Sequence, residues 1–158
     1  MTTVYRAIAG RIRADLAELS QVAKRALRIW NESAITGPDF YLDAVALNLH
    51  GFYAGLEGLL EVIADGIDNT KPSGAHWHQQ LLRQMASDIA EVRPAIISSD
   101  LRNKLDHYRG FRHVVRNVYT FNLDPEQIEV LIRHLPDTLT QANRELLAFA
   151  DFLDNLSA

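Results

Sequence analysis

The stretch DLRNKLDHYRGFRHVVRNVY, Asp100 to Tyr119, decides the fold class. Leu101, Leu105, Tyr108, Phe111, Val115 and Val118 recur three or four residues apart, which places them on one face of a helix. The same stretch carries five basic residues, Arg102, Lys104, Arg109, Arg112 and Arg116, against Asp100 and Asp106. Its formal charge is +3 in a chain whose net charge is −4. A basic stripe in an acidic protein is an electrostatic footprint for phosphate, nucleic acid or an acidic partner. At about 100° per residue, Arg102, Arg109, His113 and Arg116 gather beside the apolar face. Arg112 stands at the edge of that face, where a guanidinium is partly desolvated and requires an anion or a carboxylate partner.

Helical periodicity extends to both sides of this stretch. Val4 to about Trp30 holds one stripe through Ile8, Ile12, Leu16, Leu19 and Ala26, and Asn31-Glu32-Ser33 followed by Thr36-Gly37-Pro38 reads as a turn. Asp39 is placed to cap a second helix reaching about Ala64, with Leu42, Val45, Leu49, Phe52, Leu56, Leu59, Leu60 and Ile63 along it. Gly51, Gly55 and Gly58 recur inside that helix, a pattern that predicts close approach by another helix, within the chain or across a dimer. Residues 66–75 read as a loop. A third helix is predicted from about His76 to Val92, ended by Pro94. Ser98-Ser99-Asp100 caps the basic helix, and Asp124-Pro125-Glu126-Gln127 opens a fifth that reaches about Leu156, with a kink expected at Pro136. The fold class is therefore all-α, a single-domain antiparallel bundle of four to five long helices over residues 1–158.

Composition narrows the function classes. The chain of 158 residues is 47% hydrophobic and 23% charged and has no cysteine. That removes disulfide frameworks, cysteine-based zinc sites and cysteine nucleophiles. No apolar run approaches the roughly 20 residues of a spanning helix, and the N-terminal segment is unlike a signal peptide. A cytoplasmic protein without membrane contact is expected. The acidic pI of 5.8 argues for a local nucleic-acid contact rather than a broad one.

No phosphate-cradling glycine loop, HExxH motif or EF-hand loop is present. His76 and His78 diverge by about 200° on a helix, so a shared metal is not expected. Trp77 reads as the anchor of that helix, with the histidines at its polar start, and His50 reads as a packed or interfacial histidine. The basic helix offers more. An arginine can hold a scissile phosphate through paired donors while a nearby histidine moves a proton at the ribose 2′-oxygen. Two frames fit that idea. Arg102 and His107 are five apart and point about 140° away from each other in mid-helix. Arg112, His113, Arg116, Asn117 and Tyr119 lie near the helix end, with Asn117 where a histidine would complete the frame.

These residues resemble the HEPN superfamily and, within it, the HepT-like proteins of prokaryotic toxin–antitoxin pairs. The likeness is carried by Arg112-His113, then Asn117-Val118-Tyr119 and the exit Phe121-Asn122-Leu123-Asp124. It extends to Leu47-Asn48-Leu49-His50-Gly51-Phe52-Tyr53 and to the segment from Gly74 to Leu82. The resemblance implies a helical bundle that dimerises, metal-independent endoribonuclease activity without a cofactor, and a partner nucleotidyltransferase antitoxin that adenylylates the motif tyrosine, here Tyr119.

Asn117 departs from the family pattern, because an amide cannot exchange a proton near neutral pH. Three outcomes stay open: His113 takes over proton transfer, His107 does so, or the site binds without cleaving. The leading expectation is a toxin component in which Arg112 holds the phosphate, Arg102, Arg109 and Arg116 add positive field, His113 transfers the proton and Asn117 hydrogen-bonds. The alternatives are a non-catalytic module that docks a nucleotidyltransferase or nucleotide, and a structural dimer whose arginines pair with Glu57 and Glu61.

Overall fold

The computed structural model describes residues 2–33 and 37–158. Five α-helices account for most of them: α1 (Thr2–Ser33), α2 (Tyr41–Ile63), α3 (Trp77–Met85), α4 (Ser99–Asn117) and α5 (Pro125–Leu156). No strand occurs among the described residues; Ile89 and Arg93 form an isolated bridge. The long helices α1, α2, α4 and α5 make an antiparallel bundle, and short α3 lies against α2 and α4.

Side-chain contacts fix the directions. The start of α1 meets the end of α5 where Ser157 Oγ donates to Thr2 O, and Arg13 reaches Asp151 and Asp154 at 2.8 and 2.7 Å. Further along, Asn143 donates to Ser20 Oγ. Between α1 and α2 the close approach is at Gly55, where an added Cβ would stand 2.6 Å from Leu19 Cδ2, whereas Gly58 faces open space. The expected glycine-mediated approach is thus within the chain and centred on one glycine of the three.

The core takes the apolar stripes predicted for α1, α2 and α4, with Ile12, Leu49, Phe52, Leu60, Leu105 and Phe111 buried, and adds Leu81 of α3 and Leu135 and Leu146 of α5. Tyr108 is buried with them, its hydroxyl donating to Leu131 O at 2.7 Å. Burial pushes that hydroxyl's pKa up to about 12. The two caps at the ends of the basic segment form as the sequence predicts. Ser98 Oγ accepts from Leu101 N, and Asp124 Oδ1 accepts from Glu126 N ahead of Pro125. Helix α5 continues through Pro136.

Several boundaries differ from the sequence reading. Asn31-Glu32-Ser33 are the last residues of α1 rather than a turn, while Thr36 lies outside the described residues. Asp39 contributes its backbone carbonyl, not its side chain, to the start of α2. That helix widens into a π-turn over Ala64–Asp68, closed by Asn69 in the left-handed region at φ 53°. Val118 leaves the apolar stripe, because the chain turns extended there and exposes it.

The largest difference is α3, which stops at Met85 rather than Val92. Arg93 accounts for it. Its guanidinium is buried and grips Asp68 through two hydrogen bonds of 2.7 Å, with side-chain exposures of 0% and 1%. It also donates to the carbonyls of Gln84, Ser87 and Pro94. Reaching them requires a tight reversal at residues 89–93, with Glu91 left-handed at φ 64°. Burying the guanidinium requires partners for its donors, and the reversal supplies them. The clamp ties the end of α2 to α3, and so fixes α3 beside α4.

Candidate functional site

The basic residues of α4 and the start of α3 enclose a cleft of about 540 Å³. Arg109, Arg112, His113, Arg116 and Asn117 line it from α4. Ala75, His76, His78 and Gln79 line it from the other side. Five of the eight positions singled out in the sequence thus share one opening. Arg102 and His107 do not. They border a neighbouring cleft of about 410 Å³ with Arg83 and Asn103, and Gln79 belongs to both walls. Although five apart on α4, Arg102 and His107 still flank one hollow, because α3 supplies its opposite wall.

Arg112 occupies the floor. Its side chain is 18% exposed, and Nη1 stands 3.4 Å from Oε1 of Glu57, itself 3% exposed. Its Nε is buried without a partner. The other carboxylate oxygen of Glu57 lies 2.8 Å from Nδ1 of His78. An ionised carboxylate only accepts, so Nδ1 carries the hydrogen and donates it. His78 Nδ1 is also 3.5 Å from Arg112 Nη1, which completes a cluster of three ionisable groups. The His78 ring stacks on Trp77 with centroids 3.7 Å apart. Nearby, the Tyr53 hydroxyl is buried and unpartnered, and burial together with the Glu57 charge pushes its pKa far up.

Arg116 and His113 are on the open side. Arg116 has no carboxylate partner among the described residues, whereas Arg109 bonds Asp106 at 2.6 Å. Asn117 donates to His113 O at 2.7 Å and its Nδ2 is 3.4 Å from His113 Nδ1. The amide is therefore bonded to the backbone of its own helix beside the imidazole rather than standing free. A structural stripe would pair both arginines with Glu57 and Glu61 and close the cleft. Only Arg112 is paired in that way; Glu61 faces Lys71, and the cleft is open.

Tyr119 lies past the end of α4, outside the residues that line the cleft. It is 75% exposed and its ring stacks on Phe121 at 5.8 Å. Among the described residues no group of three or more His, Asp or Glu side chains is arranged to hold a metal ion. Among the described residues no helix is long and apolar enough to cross a membrane.

His78 carries no sequence signal as a member of the site, and Glu57 stands in the sequence only as a rival partner for the arginines. The available signal was Glu57 itself, an acid set between Leu56 and Leu59 in an otherwise apolar run. Such a position demands a cationic or hydrogen-bonding partner.

A family model described as HepT-like protein matches residues 44–153. That span contains every residue of the cleft. No curated protein and no solved structure gives a significant match to the chain.

Proposed function

Because the chain belongs to the HepT-like family, we propose that its cationic cleft binds the phosphodiester backbone of RNA and cleaves it, as the toxin component of a toxin–antitoxin pair. The observation that supports this most is the gathering of Arg109, Arg112 and Arg116 with His113 and Asn117 around one open cleft. Arg112 and Arg116 supply donors to the phosphate, Arg109 adds positive field, and His113 is the proton-transfer group. Asn117 stays bonded to the His113 carbonyl, beside that ring, and offers hydrogen bonds without proton transfer. Arg102 and His107, in the adjoining hollow, extend the same positive track along the strand. No step in this scheme calls on a metal ion.

The test is cleavage of single-stranded RNA by purified protein in excess chelator. Wild type should cut and Arg112→Ala should lose at least about a hundredfold, the scale of one well-placed charge-stabilising group. Equal rates in the two proteins would overturn the assignment of Arg112.

A second reading draws on Asn117 and on the Arg112–Glu57 pair, which partly satisfies the arginine in the absence of substrate. In it the cleft docks a nucleotide or a partner nucleotidyltransferase without cutting. Both readings take that enzyme as the cognate antitoxin, Tyr119 as its modification site and a homodimer as the working form. Absence of cleavage by folded wild type, with retained binding, would select the second.

A further inference from the structure

We infer that His78, positioned by Glu57, is a second proton-transfer residue of this cleft and works opposite His113. The inference rests on the cleavage reading above and deepens it.

The geometry carries it. His78 comes from α3 and His113 from α4, so the two imidazoles line the cleft from opposite walls. Glu57 accepts from His78 Nδ1 at 2.8 Å, which fixes the tautomer and leaves Nε2 as the basic nitrogen. Nε2 has no hydrogen-bond partner among the described residues. The carboxylate is 3% exposed, so water competes little for its bond to the ring. Stacking on Trp77 holds the ring plane. A histidine whose orientation is set by a buried carboxylate on one nitrogen, with the other nitrogen unpaired, has the parts of a general base.

The balanced step follows. His78 Nε2 takes the proton of a ribose 2′-hydroxyl as O2′ forms a bond to phosphorus. The P–O5′ bond breaks and its electron pair stays on O5′. His113, entering as imidazolium, gives O5′ a proton. The products are a 2′,3′-cyclic phosphate and a 5′-hydroxyl, and Arg112 and Arg116 hold the non-bridging oxygens throughout. Asn117 then needs no proton chemistry, which removes the difficulty of an asparagine at that position.

The experiment compares wild type, His78→Gln and Glu57→Gln on an RNA oligonucleotide, with affinity read separately on a 2′-O-methyl oligonucleotide that cannot cyclise. His78→Gln should lower kcat at least about a hundredfold, with affinity for the uncleavable strand within about threefold. Glu57→Gln should lower kcat about tenfold while affinity for the uncleavable strand stays within about threefold, a split that loss of packing alone would not produce. Cleavage by wild type with His78→Gln within twofold would overturn this inference and leave the cleavage reading standing. Absence of cleavage by wild type would overturn both. Should His78→Gln fail to fold, the His78 ring resonances of wild type are followed as the 2′-O-methyl strand is added. A shift is expected, and unmoved resonances at saturation would overturn the role.

Discussion

Arg112 Nη1 stands 3.4 Å from Glu57 Oε1, so the arginine at the floor of the cleft is tied to a buried carboxylate that His78 also holds. One carboxylate thus links the phosphate-facing side of α4 to α2 and α3. Removing Arg112 leaves Glu57 with a single partner in a poorly hydrated position. Arg112→Ala should therefore reduce stability by about 1–3 kcal/mol without abolishing folding. Arg112→Lys should recover part of that stability but not RNA cleavage, because a lysine lacks the planar fork of donors. Urea melts and cleavage rates on the same preparations check both halves. Full activity in the lysine variant would contradict the bidentate role.

Arg93 and Asp68 are expected to matter more for stability than any residue of the cleft. Both are almost wholly buried, and Arg93 satisfies three carbonyls besides its carboxylate. Arg93→Ala leaves the Asp68 charge without its cation, held by the Gln84 amide alone among the described residues, and should cost about 3–5 kcal/mol. Because the clamp fixes α3, the same variant should also loosen His78 and reduce cleavage. A melt unchanged from wild type would show that the clamp is not a stabilising element.

His50 is half-buried near the arginines. Burial first, then the positive charges of Arg112 and Arg116, hold its pKa below the ordinary value of 6.5. The unfolded chain then binds the proton more readily than the folded one. Stability associated with neutral His50 is complete above about pH 6.5 and is lost as pH falls below that toward the folded-state value. His50→Gln should make stability less sensitive to acid below about pH 6.5, read from denaturant midpoints at each pH. An unchanged pH slope would contradict the assignment. An RNA strand in the cleft should raise the His50 pKa toward its ordinary value by neutralising the two arginines.

Tyr119 is open to an enzyme. Its ring is 75% exposed, on a segment past the last turn of α4. Co-expression with the proposed nucleotidyltransferase partner should add adenylyl groups detectable by intact mass, and Tyr119→Phe should remove the addition. Retention of the same added mass in Tyr119→Phe would move the modification elsewhere.

The helical architecture was legible because its signals are local. The stripe through Leu101, Leu105, Tyr108 and Phe111 needs only a period, and the caps at Ser98 and Asp124 need only a few residues of context. The arginines of α4 were legible as a group because their charge stands out against an acidic chain. What the sequence concealed depends on contacts distant along it. Arg93 meets Asp68 across 25 positions and cuts α3 short, and His78 meets Glu57 across 21. Neither pairing has a periodic signature. His78 in particular looks like the polar start of a helix until α2 is laid beneath it.

The central claim is that the α4 cleft holds phosphates through Arg112 and Arg116. The most direct measurement is the affinity of an uncleavable single-stranded RNA as salt is varied, for wild type and for Arg116→Ala, the arginine that has no carboxylate partner among the described residues. Wild type should show log affinity falling linearly with log salt concentration, and Arg116→Ala should reduce the slope by about 0.7, the share of one phosphate contact on a single strand. Absence of binding by wild type, or an identical slope in the variant, would contradict the account.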